Sequence, residues 1–284
     1  MPEPNQHIAL ICNPTAQNSK ALHMAAAIAG LLKGQNIAYS LFTTYWPQMW
    51  NGITQAWIIG GDGTVNHFIN QNPYLKLPMA VFAGGTANDL HFQLYGSIGL
   101  EEQVMRVLQA EPQFVDVGQC KGRLFLNGVG IGFDGAIVRQ LLGKKKRPGK
   151  ASYLLTILNH IFRYKETFAE LKWKEGQLAQ DCFMISVANG RRFGGGFTVA
   201  PKAVVQDGLL DLMVVGAIAA HRRIRYLPLI ERGEHLALPF VQYHQTGCVV
   251  IQSAMELPAH RDGEYFSAKR FEIRCLPHHF SFLL

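Results

Sequence analysis

The chain has 284 residues, 48% of them apolar and 17% charged, a globular composition with enough length for two domains that each bury a core. Five scattered cysteines (Cys12, Cys120, Cys182, Cys248, Cys275) with no C-x-x-C pair exclude a disulfide framework and a zinc ribbon and point to a reducing cytoplasm. No signal peptide and no apolar run of ~18 residues is found, so the chain reads as neither secreted nor membrane-spanning.

In chain order, residues 7–14 (HIALICNP) read as a buried strand, 19–35 as a helix, 37–44 (IAYSLFTT) and 55–61 (QAWIIGG) as strands, and 64–71 (TVNHFINQ) as a short helix. A strand over 77–85 (LPMAVFAGG) and a helix over 100–111, with Val104, Val107 and Leu108 on one face, complete the first part. Strand–helix alternation with short loops predicts a parallel sheet covered on both sides. From Phe114 onward the texture becomes β-rich (114–133, 182–190, 209–217, 248–254, 265–276), interrupted by helices near 151–165 and 221–237. An α/β domain followed by a mainly β domain results, with the boundary near Asp116.

Charge divides the same way. Residues 1–120 carry four Lys/Arg (Lys20, Lys33, Lys76, Arg106) against seven Asp/Glu, which leaves 23 basic against 13 acidic residues for the remainder. Different charge suggests different partners. The densest basic run, LLGKKKRPGK (141–150), leads into a segment where Leu154, Leu155, Leu158, Ile161 and Phe162 recur at helical spacing. It fits an anionic membrane surface, with cations at the headgroups; it fits equally a solvated loop before a core-packed helix. No aromatic–basic interleaving accompanies the charge, so nucleic acid is not an expected partner.

Two loops carry chemistry. In GGDGT, Gly60, Gly61 and Gly63 follow a strand and open a helix, which places backbone N–H groups and a helix dipole where an anion can sit. Thr64 can cap or bind phosphate, and Asp62 can reach Mg²⁺. Residues 79–91 repeat the arrangement with Gly84, Gly85, Thr86, Asn88 and Asp89. Two such turns at one edge of a parallel sheet lie where open α/β folds bind ligands. A tight strand-to-helix turn with an aspartate cap is the plainer reading of either loop alone. No Walker-type loop is present, and the G-x-G-x-x-G of GIGFDG (130–135) lacks an acidic residue at the ribose-binding distance.

GGDGTVN (60–66) followed by GGTAND (84–89) resembles the catalytic domain of the diacylglycerol kinase family of lipid kinases, most of all its small soluble bacterial members. CNPTA (12–16), VDVG (115–118), FLNGVGIGFDGAIV (125–138), GGGFTVAPKAVVQDGLLDL (194–212), RGEH (232–235) and RDGEY (261–265) extend the likeness nearly end to end. The resemblance implies an ATP-binding domain over 1–117, related to phosphofructokinase and NAD kinase, to which residues 277–284 return. It implies a β-sandwich lipid-substrate domain over 118–276, with ATP and lipid meeting between the two. Position by position, it implies that Asn13, Thr43 (or equally Thr44), Gly61, Asp62, Gly63, Thr64, Val65, Asn66 and Thr86 contact ATP. Asp62, Asp89 and Asp116 match an acidic network around a catalytic Mg²⁺, and Asp207 with the carbonyls of Val204 and Leu209 matches a structural Mg²⁺ site. Glu264 matches the general base, with Asp262 beside it; a D-x-E pair in an extended segment would share one face. By itself, RDGEY reads as a D-G hairpin turn with two exposed acids.

The chain departs from the family at Ala16–Gln17, where the first loop usually continues S-G, and at His67, which takes an acidic position and receives no role. The implied activity is ATP- and Mg²⁺-dependent phosphorylation of a hydroxyl on diacylglycerol or a related membrane lipid, by a cytoplasmic protein peripheral at the inner membrane surface. A homodimer is left open. A NAD-kinase-like soluble kinase and a non-catalytic lipid-binding module are the alternatives.

Overall fold

The computed structural model describes residues 6–14, 16, 19–142 and 150–284. The basic run at Lys144–Arg147 therefore lies outside the described residues, as does Gln17. Contacts divide the chain into two compact units, Met1–Val115 with His278–Leu284, and Asp116–Pro277.

The first unit runs β1 (His7–Cys12), α1 (Lys20–Gly34), β2 (Ala38–Phe42), β3 (Gln55–Gly60), α2 (Asp62–Gln71), β4 (Met79–Ala83), α3 (Asp89–Tyr95) and α4 (Leu100–Gln109). Strand β1 pairs in parallel with β2 and β3, and β3 with β4. The apolar runs of β1 and β3 are buried on both faces, whereas β2 alternates as an outer strand should. Residues near the carboxyl end complete this unit. Phe282 pairs in parallel with Met79, and the Tyr95 hydroxyl donates to the Leu283 carbonyl at 2.9 Å. Phe280 and Phe282 are fully buried, each worth roughly 2–3 kcal/mol of transfer free energy.

The second unit contains β5 (Pro112–Cys120, from Asp116 on), β6 (Arg123–Phe125), β7 (Gly128–Gly132), α5 (Phe133–Leu141), α6 (Lys150–His160), β8 (Thr167–Trp173), β9 (Gly176–Ala188), β10 (Leu210–Gly216), α7 (Ala220–Arg223), α8 (Leu227–Arg232), β11 (Val241–Thr246), β12 (Cys248–Arg261) and most of β13 (Glu264–Leu283). Its strands pair antiparallel in the order β11–β10–β9–β7–β12–β13, with β8 bonded to both β9 and β12. One core lies among the strands around Phe125, Ile185, Leu212, Ile251 and Phe271. A second lies between the strands and the helices, around Phe133, Ile161, Phe183, Met213 and Val215.

Residues 114–132 lie in β5, β6 and β7 and the turns between them, as the β-rich texture predicts, and α5 begins at Phe133. Two expectations change. The helix over 221–237 is broken: Pro228 starts α8, and Gly233 at φ +76° ends it. The apolar positions of α6 and the turn after it do not share one face, since Ile157 and Ile161 are buried while Leu155 and Phe162 are exposed. Among the described residues no helix is long and apolar enough to cross a membrane, and the five cysteines are free thiols.

Candidate functional site

In the first unit, Gly61 caps α2, its carbonyl accepting from the Thr64 and Val65 amides. Asp62 is thus the first residue of the helix, earlier than the sequence pattern places it. A concavity beside this helix end is lined by Asn13, Thr43, Thr44, Gly63, Thr64 and His67, with Trp46 packed edge-on against His67. The Asn13 amide donates to Thr64 Oγ1 at 3.3 Å, joining the β1 loop to the α2 loop. Val65 and Asn66 are buried at 1% exposure, so their side chains belong to the core beneath this surface. Thr86 is exposed on the second loop.

Most of the loop glycines have a packing reason. A Cβ on Gly85 would overlap the Gly61 backbone, one on Gly84 would crowd Gly60 and Ala21, and one on Gly60 would strike Thr64. The two loops therefore touch backbone to backbone. Gly63 is different: among the described residues a Cβ there meets no atom within 4 Å, and Gly63 lines the concavity.

The aspartates of the two loops are joined. Asp62 Oδ2 accepts the Asp89 amide at 3.1 Å and Oδ1 accepts the Leu90 amide at 2.9 Å, so Asp62 caps α3 from the neighbouring loop. Asn88, left-handed at φ 54°, closes the second loop on Gly85 with two 2.8 Å bonds.

In the second unit, buried Asp116 accepts the Gly208 amide at 2.7 Å, and its own amide donates to the Val205 carbonyl, so it grips the turn that carries Asp207. Val204 and Asp207 are exposed. Asp211, which the sequence motifs did not single out, is 1% exposed, and among the described residues neither of its oxygens has a hydrogen-bond partner. Burial and then the charge of Asp207 push its pKa up to about 7, against the opposing influence of the Gln245 amide, Arg191 and Lys202. Two carboxylates, one of them buried, beside the backbone of 204–209 fit a hard divalent cation. No group of three or more metal-holding His, Cys, Asp or Glu side chains occurs among the described residues. The only signal for Asp211 in the sequence is an acid inside an otherwise apolar strand.

RDGEY is a two-residue hairpin. Arg261 pairs with Glu264, while Asp262 and Gly263 take φ +45° and +84°. This corrects the extended arrangement with both acids on one face: a D-G pair in a tight turn separates them. Asp262 instead points back, its carboxylate accepting the amides of Leu126, Asn127 and Gly128 at 2.8, 3.0 and 2.9 Å. It holds the loop before β7 to the hairpin and is engaged by backbone. Glu264 is 44% exposed and lies 3.5 Å from the Arg261 guanidinium and 3.8 Å from that of Arg123.

A narrow apolar cavity opens among α5, α6, α8 and the second core, walled by Phe133, Ile157, Ile161, Phe193 and Phe197, with Asp134 at its edge. Buried Arg223 braces it, donating to the Ile161 and Tyr164 carbonyls at 2.7 Å and to Glu166 at 2.6 Å, its guanidinium over the Phe183 ring. The glycines of GIGFDG serve this packing: a Cβ on Gly135 would enter the Ala259 backbone, and Gly132 sits at φ +87°.

Residues 7–120 match the diacylglycerol kinase catalytic domain, and residues 127–284 match the YegS C-terminal NAD kinase beta sandwich-like domain. A protein of Chromohalobacter salexigens described as "Probable lipid kinase YegS-like" is 30% identical over 237 residues, covering 80% of this chain and 74% of that protein. A Shewanella frigidimarina protein of the same description is 26% identical over 231 residues, covering 79% and 74%. A solved structure of a diacylglycerol kinase from Bacillus anthracis superposes with a TM-score of 0.71 at 19% identity, covering 98% of this chain and 96% of the other; it shares the fold.

Proposed function

Because the chain belongs to the diacylglycerol kinase catalytic-domain family, in its YegS-like lipid kinase form, we propose that it transfers the γ-phosphoryl group of ATP to a hydroxyl of a membrane lipid such as diacylglycerol. The observation that carries this reading is the concavity that runs along α2, with Asn13, Thr43, Gly63 and Thr64 meeting at its amino-terminal end. Backbone amides and hydroxyls at such a terminus suit a polyphosphate. The first unit is then the nucleotide domain, of phosphofructokinase and NAD kinase type. Thr86 reaches the same ligand from the second loop. Asp62, Asp89 and Asp116 serve the catalytic Mg²⁺, directly or through water. That ion neutralises charge on the transferring phosphoryl oxygens. Glu264 accepts the proton of the acceptor hydroxyl, and Asp262 fixes the hairpin that presents it.

The second unit is the acceptor domain, a β-sandwich whose cavity takes the apolar tail of the lipid. Exposed Leu155 and Phe162 supply apolar contacts for an anionic bilayer. The whole reading is tested with radiolabelled ATP, Mg²⁺ and mixed phospholipid vesicles containing diacylglycerol. Labelled lipid should form, and less of it at high salt, since cations near a bilayer are screened over about a Debye length. ATP binding without any labelled lipid, from these vesicles or from a total lipid extract, would favour the non-catalytic module.

Asp207, together with Asp211 and the carbonyls of Val204 and Leu209, holds a second Mg²⁺ that ties the 204–209 turn to β10. Binding to the folded state alone raises stability by mass action. Mg²⁺ without nucleotide should therefore raise the melting temperature of the native protein, and Asp207→Ala or Asp211→Asn should abolish the rise. A rise that survives both substitutions places the ion elsewhere.

A further inference from the structure

We propose that Asp134 and His260 are positioning residues for the transfer step, holding the Asp262–Gly263 turn, and through it Glu264, in register with the polar edge of the apolar cavity. The inference rests on Glu264 being the group that takes the acceptor's proton.

Four observations support it. Asp134 opens α5 at the cavity edge, and its Oδ2 lies 2.8 Å from His260 Nε2, with His260 3% exposed. On its other side, the His260 ring accepts the Gly263 amide at Nδ1, at 3.3 Å, so the ring bonds to the residue that immediately precedes Glu264. Those partners assign the proton to Nε2. Phe193, a cavity wall, stands edge-on to the same ring at 6.0 Å. The backbone also makes room for the pair: a Cβ on Gly130 would overlap both Asp134 Oδ2 and His260 Nε2.

A glycine inside a strand and a buried acid–imidazole pair are both poor choices for stability alone, since well-packed apolar residues do as well or better at such sites. Their joint presence between a cavity and a hairpin turn is accounted for by geometry that the reaction needs. A hydroxyl brought in by a lipid tail must meet its base within hydrogen-bond reach, and displacements of about 1 Å are costly. The Asp134–His260–Gly263 chain fixes that distance from the cavity side.

The test is a double-mutant cycle on the full chain, read as kcat for lipid phosphorylation, KM for ATP and melting temperature. His260→Gln should lower kcat about tenfold and leave the ATP KM within about twofold, as expected for loss of placement rather than of nucleotide binding. In a Glu264→Gln background the same change should have almost no further effect, because the group it places is already gone. Asp134→Ala, which removes the acceptor of the His260 Nε2–H bond, should behave the same way and serves if His260→Gln does not fold. Losses that multiply in the double variant would reduce the pair to a structural role and overturn the inference. Near-normal activity of Glu264→Gln alone would instead remove the base, and the inference with it.

Discussion

Glu264→Gln should lower lipid phosphorylation by a factor of roughly 10²–10⁴, the range for loss of a general base. The amide keeps the size of the side chain and its acceptor oxygen toward Arg123 and Arg261, so the hairpin should hold. The exposed Arg123 pair contributes about 0–1 kcal/mol, and buried Arg261 keeps the Cys120 carbonyl and the Phe266 ring, so the melting temperature should move little. ATP affinity should be unchanged as well. The measurement is steady-state kinetics against diacylglycerol vesicles beside nucleotide titration of the same preparation. Activity within a few-fold of wild type, with affinity and stability preserved, would make Glu264 an ordinary surface acid of a D-G turn.

For Asp62→Asn, catalysis and stability should fall together. A carboxylate lost from metal and transition-state charge is expected to cost about 10²-fold or more in kcat. The side chain also accepts two amides at the head of α3, and asparagine retains one acceptor oxygen for them. Removing such a charge-assisted cap costs about 1–2 kcal/mol, which thermal melting would register. Gly63→Ala separates the two effects. Its Cβ meets no atom of the described residues and its backbone is not left-handed, so the fold should be untouched, while a methyl group in the concavity should raise the KM for ATP several-fold. Should Gly63→Ala bind ATP normally, the α2 loop would not be a phosphate site. If Asp62→Asn loses stability alone, with kcat intact, Asp62 would be a cap and nothing more.

The first unit was largely legible because its physics is local. HIALIC and AWIIG are apolar without alternation, as strands buried on both faces must be, and glycines end them where helices begin. The join between the loops was not legible. Asp62 and Asp89 each look like a helix cap or a metal ligand, and only folding brings the Asp62 carboxylate onto the next helix. Asp211 was overlooked for a related reason: an acid in an apolar strand reads as an exposed position, whereas here it is buried beside the Asp207 turn. RDGEY offered both a turn and a catalytic pair, and the turn chemistry of Asp-Gly decided the backbone while leaving the role of Glu264 to experiment. The close packing of Gly135 on β12 is likewise a long-range contact that no window of sequence reports.

Strand β13 also bears on how the protein is made. Synthesis proceeds from the amino terminus, and most multidomain chains can finish their first domain while the second is still being translated. Here the residues that lie against β4 and accept the Tyr95 hydroxyl are near the far end of the chain. The nascent first unit leaves the ribosome with that edge uncovered and with the places of Phe280 and Phe282 unfilled, and it stays so until the entire β unit has been translated. An open strand edge is a pairing template for other chains. The nascent protein therefore passes through a window in which it is prone to aggregation, and its demand for a chaperone should grow as translation slows.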